Sequence, residues 1–154
     1  MSLVAGPTPD PGPQTWAFVR VAARQQGIQV QRHGPFAPTT AGGEQAFEEL
    51  RDSLPHAVIC YNDLVAFGFL ISALRAGIRV PGELSVMGHD DIQLSRLVGG
   101  GLTTVVSPKR AQGRAAVERL VRRIENPSAH RTPVEGSLPV RLVPRGTTGP
   151  RDAL

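Results

Sequence analysis

The sequence predicts an α/β fold built on a largely parallel sheet. Short apolar runs at Ala57–Cys60, Leu84–Gly88 and Leu102–Val106 alternate with longer stretches of helical periodicity. Glycine and proline punctuate the joins, as at Gly27, Gly77 and Pro81-Gly82. Strands separated by helix-length segments are the pattern of βαβ units.

Taken in order, Val4-Ala5-Gly6 resembles the end of a strand, and Met1-Ser2-Leu3 before it reads as an engineered start. Pro7 to Pro13 is a loop by composition. Trp16 to Gln26 has helical spacing and ends at Gly27, a C′ glycine. Ile28-Gln29-Val30 is a short strand, and His33 to Gly43 a second loop. Glu44 to Leu54 is a helix with Phe47, Leu50 and Leu54 on one side. After the strand at 57–61, a helix from Asp63 to Ala76 has almost no polar face. Such a helix is covered on more than one side, by a subunit partner or by full enclosure. A chain of 154 residues has few layers, which favours the partner, through Phe67, Leu70, Ile71 and Leu74. Pro108 to Ile124 is amphipathic, with Gly113, Ala116, Val117, Leu120, Val121 and Ile124 as its apolar stripe. A polar linker and a last strand at Pro139–Val143 follow.

Composition narrows the function. Hydrophobic residues make up 40% and charged residues 19%, as in an ordinary globule with one sizeable core. A lone cysteine, Cys60, excludes a disulfide framework and sits in a strand read as buried. No apolar run reaches membrane-span length. The net charge is +4, and every cation except Lys109 is arginine. Positive charge concentrates between Lys109 and Arg123, without interleaved aromatics, so a solvated helix face is favoured over a nucleic-acid site.

The most informative stretch is Tyr61-Asn62-Asp63-Leu64-Val65-Ala66-Phe67-Gly68, directly after an apolar strand. It sets Asp63 at the carboxyl end of a strand, the edge where open α/β sheets bind ligands. An ionised carboxylate only accepts, which suits a ligand rich in hydroxyls. Capping of the next helix by Asn62 or Asp63 is the alternative. Asp90 and Asp91 also follow a strand, as turn caps or as a carboxylate pair. The four histidines have no metal-ligand spacing, and Walker, dinucleotide-binding and Gly-x-Ser-x-Gly motifs are absent. These negatives favour binding over catalysis.

Four segments together resemble the lactose/galactose-repressor family of bacterial transcription regulators. They are His56 to Gly68, Ala76 to Asp91, Leu102-Thr-Thr-Val105, and Leu142-Val-Pro-Arg145 with Gly-Thr-Thr148. The resemblance covers about the last hundred residues. It implies a flavodoxin-like parallel sheet forming one subdomain of a type I periplasmic-binding-protein-like fold. Two such subdomains close on a small effector, a sugar or nucleoside-like molecule, and so alter operator affinity.

The resemblance further implies a cytoplasmic homodimer with no catalytic residue, cofactor, metal or membrane contact. Operator DNA is reached only through a helix-turn-helix absent from this chain. The implied effector residues are Asp63 with Asn62, Asp90, and Phe36 as a stacking aromatic, with loop packing the alternative for Phe36. Where the family commonly carries an arginine on the first helix, this sequence has Thr15. The implied division is 1–3 as the added start, 4–90 as the C-terminal effector-binding subdomain and 91–127 as a crossover belonging to the N-terminal subdomain. Residues 128–145 return, and 146–154 form a tail, frayed from Arg145. The stripe on the crossover helix is expected to pack on a second copy or fold back on its own sheet. Isolated, one wall of a cleft binds effector weakly. Rival readings are a periplasmic sugar-binding protein of a transporter and a flavodoxin-like enzyme using Asp63, Asp90 and Asp91 around a metal.

Overall fold

The computed structural model describes residues 1–6, 14–98, 100–126 and 138–152, with side chains 14–18 outside that description. The predicted loop at 7–13 and residues 127–137 of the predicted linker lie outside the described residues. The elements are β1 (Ser2–Val4), α1 (Gln14–Gln25), β2 (Gln31–His33), α2 (Thr40–Leu50), β3 (Ala57–Cys60), α3 (Asp63–Arg75), β4 (Ser85–His89), β5 (Thr103–Val106), α4 (Lys109–Glu125) and β6 (Arg141–Val143). Short 3₁₀ turns occupy Arg51–Ser53 and Gln93–Arg96.

One six-stranded sheet has the order β2-β1-β3-β4-β5-β6. The first five strands are parallel, and β6 returns antiparallel to β5. Right-handed crossovers put α1 on one face, and α2 and α3 on the other. Val4, Val58, Cys60 and Val86 join side chains of α2 and α3 in one core. Ser2 and Leu3 are residues of β1, which pairs on both sides with β2 and β3.

The layer that covers α3 is α2. Gly43 and Gly68 let the two backbones meet: a Cβ on Gly68 would fall 1.8 Å from the Thr40 carbonyl oxygen, and one on Gly43 2.0 Å from that of Val65. Phe47 packs edge-on against Phe69, with centroids 5.5 Å apart. Enclosure of α3 corrects the expected interface. Phe67 and Leu70 are core residues, each 1% exposed, while Ile71 and Leu74 remain at the surface. Residues four apart share a helix face, so Ile71 and Leu74 lie on the same side as Phe67 and Leu70, further toward the C-terminal end of α3.

Both glycine stops hold. Ile28 N–H donates to the Ala23 carbonyl and Gly27 N–H to that of Arg24, with Gly27 at φ 67°. The same pattern recurs at the end of α3, with Ile78, Ala73 and Gly77. Ile28 is therefore spent closing α1, and β2 begins at Gln31 rather than Ile28. Helix α2 starts four residues before its predicted start, because the Thr39 hydroxyl accepts from Gly42 N–H at 3.2 Å and caps it.

The tail is not frayed from Arg145. The Thr147 hydroxyl accepts from Thr103 N–H at 2.9 Å and donates to the Val86 carbonyl at 2.8 Å. Asp152 pairs with Arg79 at 2.7 Å. Residues 145–152 thus lace along β4 and β5. By contrast, α4 has no buried residue. Val117, Leu120, Val121 and Ile124 lie 44–70% exposed, so the stripe does not fold back on this sheet.

Candidate functional site

The carboxyl edge of the sheet gathers the loops after β1, β2, β3, β4 and β5, where a ligand of an open parallel sheet is received. Residues 5–6, 34–36, 61–63, 90–91 and 107–109 meet there.

Asp63 lies beneath that edge rather than on it. Its carboxylate is enclosed, with the residue 1% exposed. Oδ1 accepts from the Thr104 hydroxyl at 2.6 Å. Oδ2 accepts from the Ser95 hydroxyl at 2.6 Å and from Ile92 N–H at 3.0 Å. Gly88 makes room for it, since a Cβ there would lie 2.3 Å from Oδ1. Among the described residues no buried side-chain polar atom lacks a partner. Asp63 therefore ties the start of α3 to the 92–96 turn and to β5, and presents no oxygen outward. Burial, reinforced by this carboxylate, pushes the Cys60 thiol well above its usual range. The thiol stays protonated, like the inert core cysteine expected from its strand.

Asn62 caps α3. Its Oδ1 accepts from Val65 N–H at 2.9 Å, and its Nδ2 donates to the Pro38 carbonyl at 3.2 Å. Phe36 is 3% exposed and belongs to the core, with its backbone N–H on the Ala5 carbonyl. No ring face is presented there, so the packing alternative describes its place. Thr15 lies in the first turn of α1, and its side chain lies outside the described residues.

Asp90 is the carboxylate that reaches the edge. It has φ 118°, a value l-residues rarely adopt, and its side chain is 31% exposed. Lys109 Nζ lies 3.3 Å from Oδ1, and His89 Nδ1 lies 3.4 Å from the same oxygen. Asp91, at φ 51°, turns inward instead. Arg145 Nη2 donates to its Oδ1 at 2.5 Å, and Arg96 Nη2 to Oδ2 at 3.3 Å. Burial pushes the Asp91 carboxyl up, but the two guanidiniums outweigh it and hold the group below the usual carboxylate range. Arg145 Nη1 also donates to the Leu102 carbonyl at 2.9 Å. With Asp63 and Asp91 already saturated, the three acids do not form one cation cage. No three His, Cys, Asp or Glu side chains gather as a metal site among the described residues.

Tyr61 and Arg145 were not assigned roles from sequence. Tyr61 stands at the edge, 48% exposed, with its ring against Gly6, where a Cβ would fall 2.6 Å from Cδ2. Its position directly after an apolar strand was the available signal. Arg145 had no local signal, because its partner is 54 residues away in sequence.

Comparison with known proteins places this geometry. Residues 8–148 match the periplasmic binding protein-like domain. The ribose operon repressor of Haemophilus influenzae is 40% identical over 89 residues, covering 56% of this chain and 27% of the repressor. A LacI family regulator from Enterococcus faecium, solved with bound ribose, superposes with a TM-score of 0.81 at 28% identity, over 97% of this chain and 56% of its own. Another from Arthrobacter sp. FB24, in complex with lactose, gives 0.76 at 29% identity, over 96% and 57%. The chain thus spans little more than half of these solved relatives. No helix among the described residues is long and apolar enough to cross a membrane. Sheet order, matched span and relatives agree: the chain belongs to the periplasmic binding protein-like domain family, as an effector-binding domain of the lactose/galactose-repressor type.

Proposed function

We propose that the chain supplies the C-terminal wall of an effector cleft in a bacterial transcriptional regulator of the cytoplasm. The effector is a sugar or a nucleoside-like molecule, and binding it changes operator affinity without any chemical step on it. The observation that carries this reading is Asp90. It is a half-buried carboxylate that reaches the carboxyl edge, beside Lys109, the first residue of the helix that leads away from the sheet. A hydroxyl-bearing ligand can take acceptor oxygens from Asp90, while Asp63 holds the turn that follows it. Relatives solved with ribose and with lactose support the ligand class.

Two faces remain for other surfaces. The stripe of α4 fits a second α/β half, which would complete the cleft with the 91–127 segment. The outward row Leu64, Ile71 and Leu74 of α3, each at least 36% exposed, fits a second copy. Operator contact belongs to a helix-turn-helix outside these residues. The test is calorimetric titration with D-ribose, lactose and adenosine, before and after Asp90→Asn. Binding of one probe that falls about tenfold or more in the variant supports the reading, on the scale of a charged hydrogen bond. Binding unaffected by the substitution refutes Asp90 as the contact.

A further inference from the structure

We infer that Tyr61 is the stacking platform of the cleft, taking the flat face of a hydroxylated ring, either a free sugar or the sugar or base of a nucleoside. The inference rests on the effector-cleft reading of this edge and assigns the residue that selects the ligand's shape.

Of the described aromatic side chains near the edge, Phe36 is folded into the core at 3% exposed, whereas Tyr61 is 48% exposed. Strand register sets the place of the ring. Val4 pairs with Cys60, so Ala5 and Gly6 run beside Tyr61. Ile59 pairs with Met87, which carries Tyr61 level with His89, one residue before Asp90. Adjacent strands lie about 4.8 Å apart, so Tyr61 and His89 are backbone neighbours at this edge, with the ring lying toward β1 and Asp90 following β4 on the other side.

Gly6 supports one face of the ring. A side chain there would strike Cδ2, Cε2 and Cγ together, so the tyrosine lies flat on backbone and its other face is turned outward. The phenol adds a donor and an acceptor at the rim. A sugar presents one face of C–H groups with hydroxyls around its edge, and a base presents a π face. Both stack on a supported aromatic while their polar rim reaches a carboxylate.

Tyr61 is the only tyrosine of the chain, so incorporation of 3-fluorotyrosine gives one fluorine resonance that reports on this ring. The labelled chain is titrated with D-ribose, lactose and adenosine to millimolar concentration. Binding is followed independently by saturation transfer to the ligand. A saturable shift of the resonance with a probe is expected. Tyr61→Ala should weaken that probe about tenfold or more, and Tyr61→Phe by no more than about threefold, as loss or retention of a stacking face dictates. Ribose and adenosine distinguish a free sugar from a nucleoside. A probe that binds by saturation transfer but leaves the resonance unmoved, with affinity intact in Tyr61→Ala, overturns Tyr61 and leaves the cleft reading standing. Absence of binding by every probe overturns both.

Discussion

Replacing Asp63 separates a structural carboxylate from a ligand-binding one. In Asp63→Ala, the Ser95 and Thr104 hydroxyls and the Ile92 N–H lose their acceptor in the interior. A buried donor left unpaired costs about 1–3 kcal/mol. Hydroxyls can turn toward other acceptors and the amide cannot, so the sum is roughly 3–6 kcal/mol. That is a large share of the about 5–15 kcal/mol that holds a domain folded. Asp63→Asn keeps the shape and one acceptor oxygen, and a hydroxyl can reverse to accept from the new amide. Its cost is roughly 1–3 kcal/mol, chiefly from losing charge-assisted bonds. Urea unfolding is the assay. With a slope of about 1–3 kcal/mol per molar, the Asn variant should lower the midpoint by roughly 0.5–1.5 M, and the Ala variant by roughly 1.5–3 M. A midpoint for Asp63→Asn within roughly 0.2 M of the parent, together with loss of sugar binding, would show that Asp63 is a ligand contact and refute this account.

Gly68→Ala should destabilise by at least about 1–3 kcal/mol in the same assay, because its methyl meets the Thr40 carbonyl at 1.8 Å and the helices must part. Gly113→Ala, with nothing within 4 Å of the new Cβ, should stabilise α4 by roughly 0.5–1 kcal/mol. The Asp91 carboxyl titrates below its ordinary value of 3.8 in the folded chain. Its contribution to stability is therefore fully present above that value and is lost as pH falls from it through the lower folded value. Thermal melts across that acid range should show the loss, and Asp91→Asn should flatten it.

How far the sequence disclosed the fold depended on how local the causes were. Strands β3, β4 and β5 and the helices α3 and α4 were visible because periodicity and glycine stops act within a few residues. The start of α2 was hidden, since Gly42 and Gly43 read as loop until the close approach of the Ala37 carbonyl to the first and of α3 to the second explains them. The place of Phe67 and Leu70 depended on what covers α3, which no property of α3 itself reveals. In the site, strand-end position singled out both Asp63 and Asp90. Only the donors at Ile92, Ser95 and Thr104, 29 to 41 residues from Asp63, distinguish the enclosed acid from the one that reaches the edge. Arg145 was missed for the same reason.

The lacing of residues 145–152 has a consequence for synthesis on the ribosome. Val86 N–H donates to the Thr147 carbonyl at 2.8 Å, and the Thr147 hydroxyl returns to the Val86 carbonyl 61 residues earlier. Strand β5 pairs with β4 only from Met87 onward, so Val86 keeps an open edge until Thr147 emerges. Everything from β1 to α4 is translated before that closure. The nascent chain thus carries an unpaired strand margin while the 61 residues that follow Val86, up to Thr147, are made, a vectorial hazard that closes only when this pair of bonds forms.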